Sequence, residues 1–296
     1  MQVFVTGASG FIGSAVVAEL IAAGHDVVGL ARSDSSADAL AAAGATVHRG
    51  DLDDLDSLRA GAANADGVIH LAFIHDFDNY AGAGDTDRRA IETIGETLAG
   101  SDRPFVVTSG MVGFPAGRVL TENDAADPAF PRASETALSF SSRGVRVSAL
   151  RLPPSVHGEH DHGFVPRLIA TAYEKGVSAY PGDGSNRWPA VHRFDAARLF
   201  RLALEAAPAG ARLHAVGDEG IPVRDIADVI GRQLQVPVTG VPLENATAHF
   251  GWLGGFFSLD LPASSAATRE LLGWEPTHPG LLDDLERRHY FDDVAA

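Results

Sequence analysis

The first turn of the chain restricts its fold more than any other segment. An apolar run over residues 3–5 breaks at Thr6-Gly7, and Gly10 and Gly13 follow at intervals of three residues. A helical pattern of apolar residues starts inside this motif. Glycines suit a strand, a tight turn and a helix in succession, because the backbone must bend sharply and approach a ligand closely. The free N–H groups of the first helical turn then face an anion, most naturally a pyrophosphate. The motif therefore predicts a dinucleotide-binding βαβ unit.

A second predicted strand, Asp26–Ala31, completes this unit and ends at Arg32-Ser33. An acidic residue at this place would hold the ribose hydroxyls of NAD, whereas a guanidinium suits the 2′-phosphate of NADP through charge-assisted hydrogen bonds. We therefore expect NADP as the cofactor and regard NAD as the less favoured choice. The alternative is a solvated surface arginine, with Asp34 or Ser35 capping the next helix.

Composition limits the class of protein. The 296 residues, 45% hydrophobic and 21% charged, can bury a full core and are ordinary for a globular chain. No run approaches the ~20 apolar residues of a membrane span, and the first strand follows Met1 at once, so we expect no signal peptide. The absence of cysteine excludes disulfides, thiolate catalysis and cysteine-ligated zinc. A net charge of −16 argues against nucleic acid and anionic membranes as partners. We expect a cytoplasmic protein.

Strand and helix signals alternate through the first half of the chain. Further strands are predicted at residues 45–49, 67–71, 104–109 and 145–152, and helices near residues 85–98 and 131–143. Strands separated by helices imply parallel pairing with right-handed crossovers. The sequence therefore predicts an α/β fold with a doubly wound parallel sheet.

The pattern loosens beyond residue 152. Helices are predicted at about 164–175, 192–206, 223–234, 264–272 and 280–289, with short strands near 212–216 and 238–241. We expect residues 1–152 to form a dinucleotide-binding Rossmann domain, which residues 190–217 rejoin. Residues 153–189 and 218–296 are expected to form a smaller substrate-binding region that caps it.

Several further segments carry a family resemblance. They are Gly50-Asp51-Leu52, His70-Leu71-Ala72, and the segments 151–158, 191–197 and 271–276. Together with the glycine motif they resemble the short-chain dehydrogenase/reductase superfamily, in its extended or atypical branch of NAD(P)-dependent epimerases and dehydratases. The resemblance covers nearly the whole chain and implies the Rossmann fold.

The resemblance also implies where the cofactor lies. Residues 50–52 match the family's adenine-contacting turn, and residues 151–158 match the loop that flanks the nicotinamide. The residues implied in cofactor binding are Gly7, Ser9, Gly10, Phe11, Ile12, Gly13, Arg32, Ser33, Asp51, Leu52, Leu71, Ala72, Pro153 and Ser155. Many relatives dimerise through a helix pair that would include residues 85–98 and 131–143, so a homodimer is an expectation by resemblance.

The catalytic motif of the family is missing from its usual place. Family members carry Tyr-x-x-x-Lys after the fifth strand, where the tyrosine is the general acid/base and the lysine lowers its pKa. Pro131 stands at the tyrosine position of this chain and Glu135 at the lysine position. The family's chemistry is therefore not carried over, although folding could bring Tyr80 or Tyr180 near the pocket.

Hydride transfer to a carbonyl then needs another proton donor. His157 stands where the family often has a tyrosine, and we expect it to be the acid. Ser109 and Arg132 are the other candidate catalytic residues, and Arg132 could stabilise an anion or form a helix salt bridge with Glu135. Further polar residues expected to contact the substrate are His75, Asp76, His160 and His162.

Three segments allow more than one interpretation. The histidines and carboxylates of residues 157–162 could hold a metal, but zinc needs fixed geometry and a further ligand, so we expect a mobile polar loop and no metal. Arg187 and Trp188 are predicted to line the substrate pocket, with plain packing as the alternative for Trp188. A substrate lid, a dimer contact or core packing would each suit Phe250, Trp252, Phe256 and Phe257.

These observations favour an NADP-dependent reductase that acts on a carbonyl or related unsaturated group of a small organic substrate. One alternative is an epimerase, dehydratase or lyase that uses the cofactor transiently. Another is a catalytically silent NADP-binding protein that senses redox state or scaffolds a partner, and the missing tyrosine and lysine support it.

Overall fold

The computed structural model of the chain describes residues 1–76, 79–114, 117–127 and 129–292. Its strands are β1 (Gln2–Thr6), β2 (Asp26–Ala31), β3 (Thr46–Arg49), β4 (Gly67–His70), β5 (Pro104–Gly110), β6 (Arg146–Leu152), β7 (Ser155–His157), β8 (Ser178–Pro181), β9 (Arg187–His192), β10 (Ala211–His214), β11 (Asp218–Pro222) and β12 (Val238–Val241). Its α-helices are α1 (Phe11–Ala22), α2 (Asp34–Ala42), α3 (Leu55–Ala63), α4 (Tyr80–Leu98), α5 (Phe164–Lys175), α6 (Arg193–Ala206), α7 (Val223–Leu234), α8 (Ala246–Phe250), α9 (Leu253–Phe257), α10 (Ala266–Leu272) and α11 (Leu281–Leu285). Shorter 3-10 helices cover Ser134–Arg143, Leu243–Asn245 and Arg288–Tyr290.

A seven-stranded sheet forms the centre of the fold, in the order β10-β6-β5-β4-β1-β2-β3. All of its neighbouring strands pair in parallel. The strand order reverses between β1 and β4, and ligands of doubly wound sheets bind in the crevice that opens at such a point. The predicted α/β fold with a doubly wound parallel sheet is confirmed.

Helices cover both faces of this sheet with apolar side chains. On one face α1 and α6 pack together through residues such as Val16, Leu20 and Phe200, all fully buried. On the other face Leu58 of α3 and Ile91 of α4 belong to a second buried cluster. Strands that are buried on both faces have nearly continuous runs of apolar residues. This pattern is why the strands of the main sheet could be predicted from the sequence.

The carboxyl half adds smaller sheets with a core of their own. β7, β9 and β11 form a three-stranded sheet, and β8 pairs in parallel with β12. β10 lies at the edge of the main sheet, beside β6. The sequence analysis missed β7, β8, β9 and β11, because these strands are short and lack strict alternation. The division of the chain into two domains stays a prediction, and residues 293–296 of the capping region lie outside the described residues.

The segment predicted as a helix over residues 131–143 is a 3-10 helix, Ser134–Arg143. Side-chain hydroxyl groups bind the backbone carbonyls of this segment. Thr136 donates to the Ala133 carbonyl and Ser139 donates to the Thr136 carbonyl, each over 2.8 Å. Such side-chain hydrogen bonds to the carbonyl three residues earlier compete with regular helical bonding. The segment packs on α4 within the same chain, and the homodimer through these two elements stays a prediction.

Two distant segments from the family resemblance meet in the structure. The Asp195 carboxylate accepts hydrogen bonds from the backbone N–H groups of Thr277 and His278, each over 2.9 Å. The Trp274 indole donates to the Asp195 carbonyl over 3.0 Å. These bonds attach the C-terminal segment to the start of α6.

Candidate active site

A cavity of about 930 Å³ lies at the carboxyl edge of the sheet, where the strand order reverses. It begins at the glycine motif after β1 and continues along the ends of β4, β5 and β6 to α5 and the 252–256 segment. Most of the predicted site residues line it: Gly7, Ser9, Gly10, Phe11, Ile12, Gly13, Arg32, Asp51, Leu52, Leu71, Ala72, His75, Ser109, Arg132, Pro153, Ser155 and His162. The predicted residues outside its lining are Ser33, Asp76, His157, His160, Arg187 and Trp188.

The glycine motif forms a cradle that has no room for side chains. Gly7 adopts a positive φ of 68°, and a Cβ there would lie 2.7 Å from the backbone nitrogen of Ala72. A Cβ on Gly13 would lie 2.0 Å from the Gly7 carbonyl oxygen. No side chain of the described residues caps the first turn of α1, so its N–H groups remain available to a ligand. The cradle therefore fits the diphosphate of a dinucleotide, with its negative charge at the positive end of the helix dipole.

The adenosine end of the cavity contains a cation and a tight turn. Arg32 directly follows β2 and lines the cavity together with Ser36. Ser33 has a different task from the predicted one: its hydroxyl accepts a hydrogen bond from the Ser36 N–H over 3.2 Å and caps α2. The Asp51 carboxylate holds its own turn by accepting from the N–H of Asp53 over 2.8 Å.

A chain of buried polar groups lies below the middle of the cavity. The Thr6 hydroxyl contacts His70 Nδ1 over 2.8 Å, and His70 Nε2 lies 3.1 Å from Asp87 Oδ1. The Ser134 hydroxyl donates to the other Asp87 oxygen over 2.7 Å. Burial acts to raise the pKa of Asp87, but the hydrogen bond and charge of His70 and the Arg132 cation outweigh it and hold the pKa below its usual value. This series of polar contacts connects β1, β4, α4 and the segment that carries Arg132.

Arg132 is the cation at the centre of the site. Its Nη2 donates to the Thr108 carbonyl over 3.3 Å, and its Nε donates to the Ser134 hydroxyl over 3.3 Å. The guanidinium lies 4.0 Å from the centre of the Phe73 ring, a cation–π contact. These contacts hold the guanidinium on the cavity wall, close to the end of β5.

The alternative considered for Arg132, a salt bridge with Glu135, does not form. Glu135 binds Arg151 instead, with two N–H···O contacts of 2.6 and 2.8 Å, and also Arg212 over 3.1 Å. The fully buried Arg151 needs this carboxylate, because an unpaired buried charge is strongly destabilising. Ser109 donates weakly to the same carboxylate over 3.4 Å and stays on the cavity wall.

The structure does not bring His157 to the cavity. Its side chain is fully buried, its Nδ1 lies 2.9 Å from Asp284 Oδ2, and its ring meets His192 edge to face at 5.3 Å. The pairing of β7 with β9 places the ring between β9 and α11, while Ser155 and Val156 of the same strand line the cavity. An imidazole in this position cannot reach a substrate in the cleft, so His157 does not have the geometry of the predicted acid.

The loop after β7 crosses the cofactor end of the cavity. His162 lines the cavity, and its ring meets Phe11 of the glycine motif edge to face at 5.7 Å. Asp161 accepts hydrogen bonds from the Gly163 N–H over 2.7 Å and from the Tyr290 hydroxyl over 3.1 Å, and burial raises the pKa of this carboxyl. His160 points elsewhere and is exposed. In the described part of the chain, no three histidine or acidic side chains form a metal-binding group.

Arg187 and Trp188 also lie outside the cavity. Arg187 forms a two-contact salt bridge with Asp260, at 3.0 Å for each contact. Trp188 is fully buried, with its ring 5.0 Å from Phe257 and 5.7 Å from Phe164. Because strand β9 directs these side chains into the core and to the 260 loop, the packing interpretation of Trp188 is correct.

Aromatic side chains line the cavity as well, including three whose role the sequence analysis left open, Tyr80, Trp252 and Phe256. Trp252 and Phe256 line the cavity, whereas Phe250 and Phe257 are core residues. Tyr80 lines it as well, and burial raises the pKa of its hydroxyl. The remaining aromatic residues of the lining are Phe73, Phe114, Phe130 and Phe164. No local pattern marks them, because they come from separate loops; only their position after the strand ends could have suggested them.

The comparison with known proteins agrees with this architecture. Residues 3–93 match the model of the NAD dependent epimerase/dehydratase family. The chain is 53% identical to an uncharacterized protein of Schizosaccharomyces pombe over 98% of its own length and all of the relative's. It is 48% identical to an uncharacterized protein of Saccharomyces cerevisiae, over 98% of the chain and 99% of that protein.

More distant relatives have named activities. A 4-hydroxy-2-methyl-3-oxo-4-farnesyl-3,4-dihydroquinoline-1-oxide ketoreductase of Stigmatella aurantiaca is 27% identical, over 97% of this chain and 90% of its own. Among solved structures, MoeE5 in complex with UDP-glucose and NAD superimposes with a TM-score of 0.77 at 22% identity, over the whole of both chains. No helix in the described residues has the length and apolar character to cross a membrane. The glycine cradle, the sheet order and the relatives together show that the chain belongs to the NAD-dependent epimerase/dehydratase family of extended short-chain dehydrogenases/reductases.

Proposed function

We propose that the protein is an NADP-dependent reductase of a carbonyl or related unsaturated group in a small organic substrate. The observation that carries the proposal is the continuity of one cavity, from the glycine cradle and Arg32 to Ser109 and Arg132. The glycine cradle and Arg32 would hold the cofactor at the first end, and the cofactor would supply a hydride to a substrate bound beside Ser109 and Arg132. The ketoreductase relative supports the reductive direction.

NADP is proposed over NAD because of Arg32. Its guanidinium lies on the cavity at the end of β2, where the ribose of the adenosine is held in this fold. The neighbouring Asp34 is already paired with Arg49 and does not neutralise it. Arg32 and the Ser36 hydroxyl would together bind a 2′-phosphate with charge-assisted hydrogen bonds.

The proposed reaction consumes one reduced cofactor and one proton for each carbonyl group that is reduced. When bound, NADPH supplies a hydride, that is two electrons and one proton equivalent, to the carbonyl carbon and leaves as NADP⁺. The Arg132 guanidinium stabilises the negative charge that develops on the carbonyl oxygen. The Ser109 hydroxyl orients the substrate oxygen, and a water molecule positioned by these two groups delivers the proton. His157 has no part in this scheme, because it lies outside the cavity.

The test is NADPH consumption, measured by its near-ultraviolet absorbance, with a panel of aldehydes, ketones, quinones and imines. We expect NADPH oxidation that is stoichiometric with formation of the reduced product. Product formation without net NADPH consumption would instead identify an epimerase, dehydratase or lyase. Tight NADPH binding without any product would support a sensor or scaffold and contradict the reductase.

Arg132→Gln provides a second check on the chemistry. It removes the charge while keeping a hydrogen-bonding group, so we expect kcat to fall about a hundredfold, within the range for loss of an oxyanion-stabilising group. NADPH affinity should stay within about twofold, because Arg132 lies away from the glycine cradle. Arg118→Gln, at an exposed arginine paired with Asp124, is the control.

A further inference from the structure

The substrate end of the cavity is rich in aromatic side chains. Six rings line it, and we refer to them as the aromatic wall: Phe73, Tyr80, Phe130, Phe164, Trp252 and Phe256. They come from the loop after β4, the start of α4, the segment after β5, the start of α5 and the 252–256 segment. Segments this far apart in sequence meet only in the folded protein.

Part of the aromatic wall belongs to the sheet side of the cleft. The rings of Phe73 and Tyr80 lie 5.7 Å apart, and those of Tyr80 and Phe130 lie 6.1 Å apart, all in edge-to-face geometry. Arg132 covers the Phe73 ring. The cation proposed to polarise the substrate therefore borders directly on an aromatic surface.

The other part belongs to the carboxyl half of the chain. Phe164 lies 5.6 Å from Trp252 and 6.0 Å from Phe256, measured between ring centres. Trp252 keeps 41% of its surface exposed although it borders the cavity, whereas Trp188 and Trp274 are fully buried. A large apolar side chain that stays in contact with water at a cavity is typical of a surface that a ligand covers.

The charges at this end do not suit a nucleotide diphosphate. Among the described residues, the arginine side chains on its lining are Arg132 and Arg167. The carboxylates of Asp127 and Asp161 line the same space. Diphosphate binding favours several convergent cations or N–H groups and no adjacent carboxylates.

We infer that the substrate is a flat aromatic aldehyde or ketone, whose ring packs on the aromatic wall while its carbonyl oxygen meets Arg132. The inference rests on the proposed reductase function and names its substrate class. Trp252 is the residue that determines this specificity, since covering its exposed ring contributes binding energy only for a ligand with a matching flat surface. The diphosphate of a nucleotide-linked sugar would instead meet the carboxylates of Asp127 and Asp161 at this end.

The experiment compares three probes on the intact protein with NADPH. The probes are 2-naphthaldehyde, cyclohexanecarbaldehyde as a non-aromatic aldehyde, and UDP-glucose in a binding assay. With the naphthaldehyde as substrate, we expect Trp252→Ala to raise KM about tenfold or more, the usual effect of removing a central aromatic contact. With cyclohexanecarbaldehyde as substrate, KM should rise clearly less than with the naphthaldehyde, because a puckered ring covers less of the indole. The affinity for NADPH should change less than about twofold.

Two further variants separate specificity from folding. Trp252→Phe restores a flat ring and should recover most of the lost affinity for the naphthaldehyde. Tyr173→Ala removes another exposed aromatic side chain, on α5 but outside the cavity lining, and should leave all three probes unchanged. A Trp252→Ala protein that loses both aldehydes equally would overturn the inference.

The remaining outcomes separate a failure of the proposed substrate class from a failure of the proposed reductase reaction. If no carbonyl compound is reduced but the naphthaldehyde still binds and quenches tryptophan fluorescence in the original protein and not in Trp252→Phe, the reductase proposal fails and the aromatic binding site is supported. If UDP-glucose binds more tightly than the naphthaldehyde, or neither aldehyde binds, the aromatic assignment is wrong. Reduction of both aldehydes with equal efficiency would also overturn it, while leaving the reductase proposal in place.

Discussion

The two ends of the cleft are built in different ways. The cofactor end consists largely of backbone from one short stretch, Gly7 to Gly13, where close contacts exclude side chains. The substrate end consists of side chains from separate stretches, among them Phe73, Arg132 and Trp252. One end is thus formed by local sequence and the other by the tertiary fold.

This difference indicates where the site can change in evolution or by design. A backbone cradle has few tolerated substitutions, because a Cβ on Gly7 would meet the Ala72 backbone and a Cβ on Gly13 would meet the Gly7 carbonyl. Side chains on loops at the end of a rigid sheet can be replaced without altering the sheet. The cofactor end therefore carries the family's shared property, and the substrate end carries the property that distinguishes its members.

The largest effect is expected at the cradle itself. In Gly13→Ala the new Cβ would overlap the Gly7 carbonyl oxygen, 2.0 Å away, so the backbone around the diphosphate site must shift. A shift costing about 2–3 kcal/mol, typical of overpacking, raises the Kd for NADPH about a hundredfold. Isothermal titration calorimetry measures this Kd.

Gly255→Ala is the matched control, because a Cβ at Gly255 meets no atom within 4 Å. Its NADPH affinity should equal that of the original protein. Unaltered NADPH binding by folded Gly13→Ala protein would contradict a cofactor site at this motif.

A smaller effect is expected at the adenosine end of the same site. Arg32→Asp replaces the cation facing the cavity by an anion, so it should weaken NADPH binding about thirtyfold, or about 2 kcal/mol for lost charge-assisted hydrogen bonds. NADH affinity should stay unchanged or increase. Arg59→Asp, at an exposed arginine outside the cavity that pairs with Asp56, controls for net charge. Equal losses for NADPH and NADH would refute the NADP assignment.

The smallest effect concerns the sheet behind the substrate end. Burial, together with the neighbouring His157 and His278, lowers the pKa of His192 from 6.5 to about 4, while Asp284 and Asp195 oppose this shift weakly. Because the pKa is lower in the folded state, His192 contributes stability above pH 6.5 that is lost as the pH falls toward 4. β9, which ends at His192, pairs with the cavity-lining β7.

His192→Asn should therefore reduce the acid-induced loss of stability between these pH values, by about 1 kcal/mol or more, since it removes a histidine whose pKa is lowered on folding. Chemical denaturation at pH 7, 5.5 and 4.5 measures the difference. The control is His160→Asn, whose side chain is 80% exposed. An unchanged pH profile for His192→Asn would show that other groups account for the acid sensitivity.

The sequence predicted the sheet better than the site. Buried parallel strands such as β5 and β6 are continuous apolar runs, and the glycine spacing before α1 leaves one plausible local structure. The short strands β7 and β9 were missed, and with them the direction of the side chains that they carry. The family resemblance led us to expect His157 and Trp188 at the cleft, whereas both are fully buried outside it.

The sequence also did not predict which charged side chains form salt bridges with each other. Arg132 and Glu135, three residues apart, suggested a local salt bridge, but Glu135 binds Arg151 and Arg212 from strands β6 and β10. The fully buried Arg151 competes more strongly for this carboxylate than the partly exposed Arg132 does.

By itself, the sequence determined the α/β class and the glycine motif of the cofactor cradle, because both depend on contacts within a few residues of the chain. It also placed Arg32 and Ser109 at strand ends, and parallel strands bring their carboxyl ends to one edge of a sheet. Only the tertiary structure decided which of the remaining side chains face the cavity, such as Tyr80 and Trp252. That choice depends on the packing of segments that are distant in sequence, which local patterns of residues do not encode.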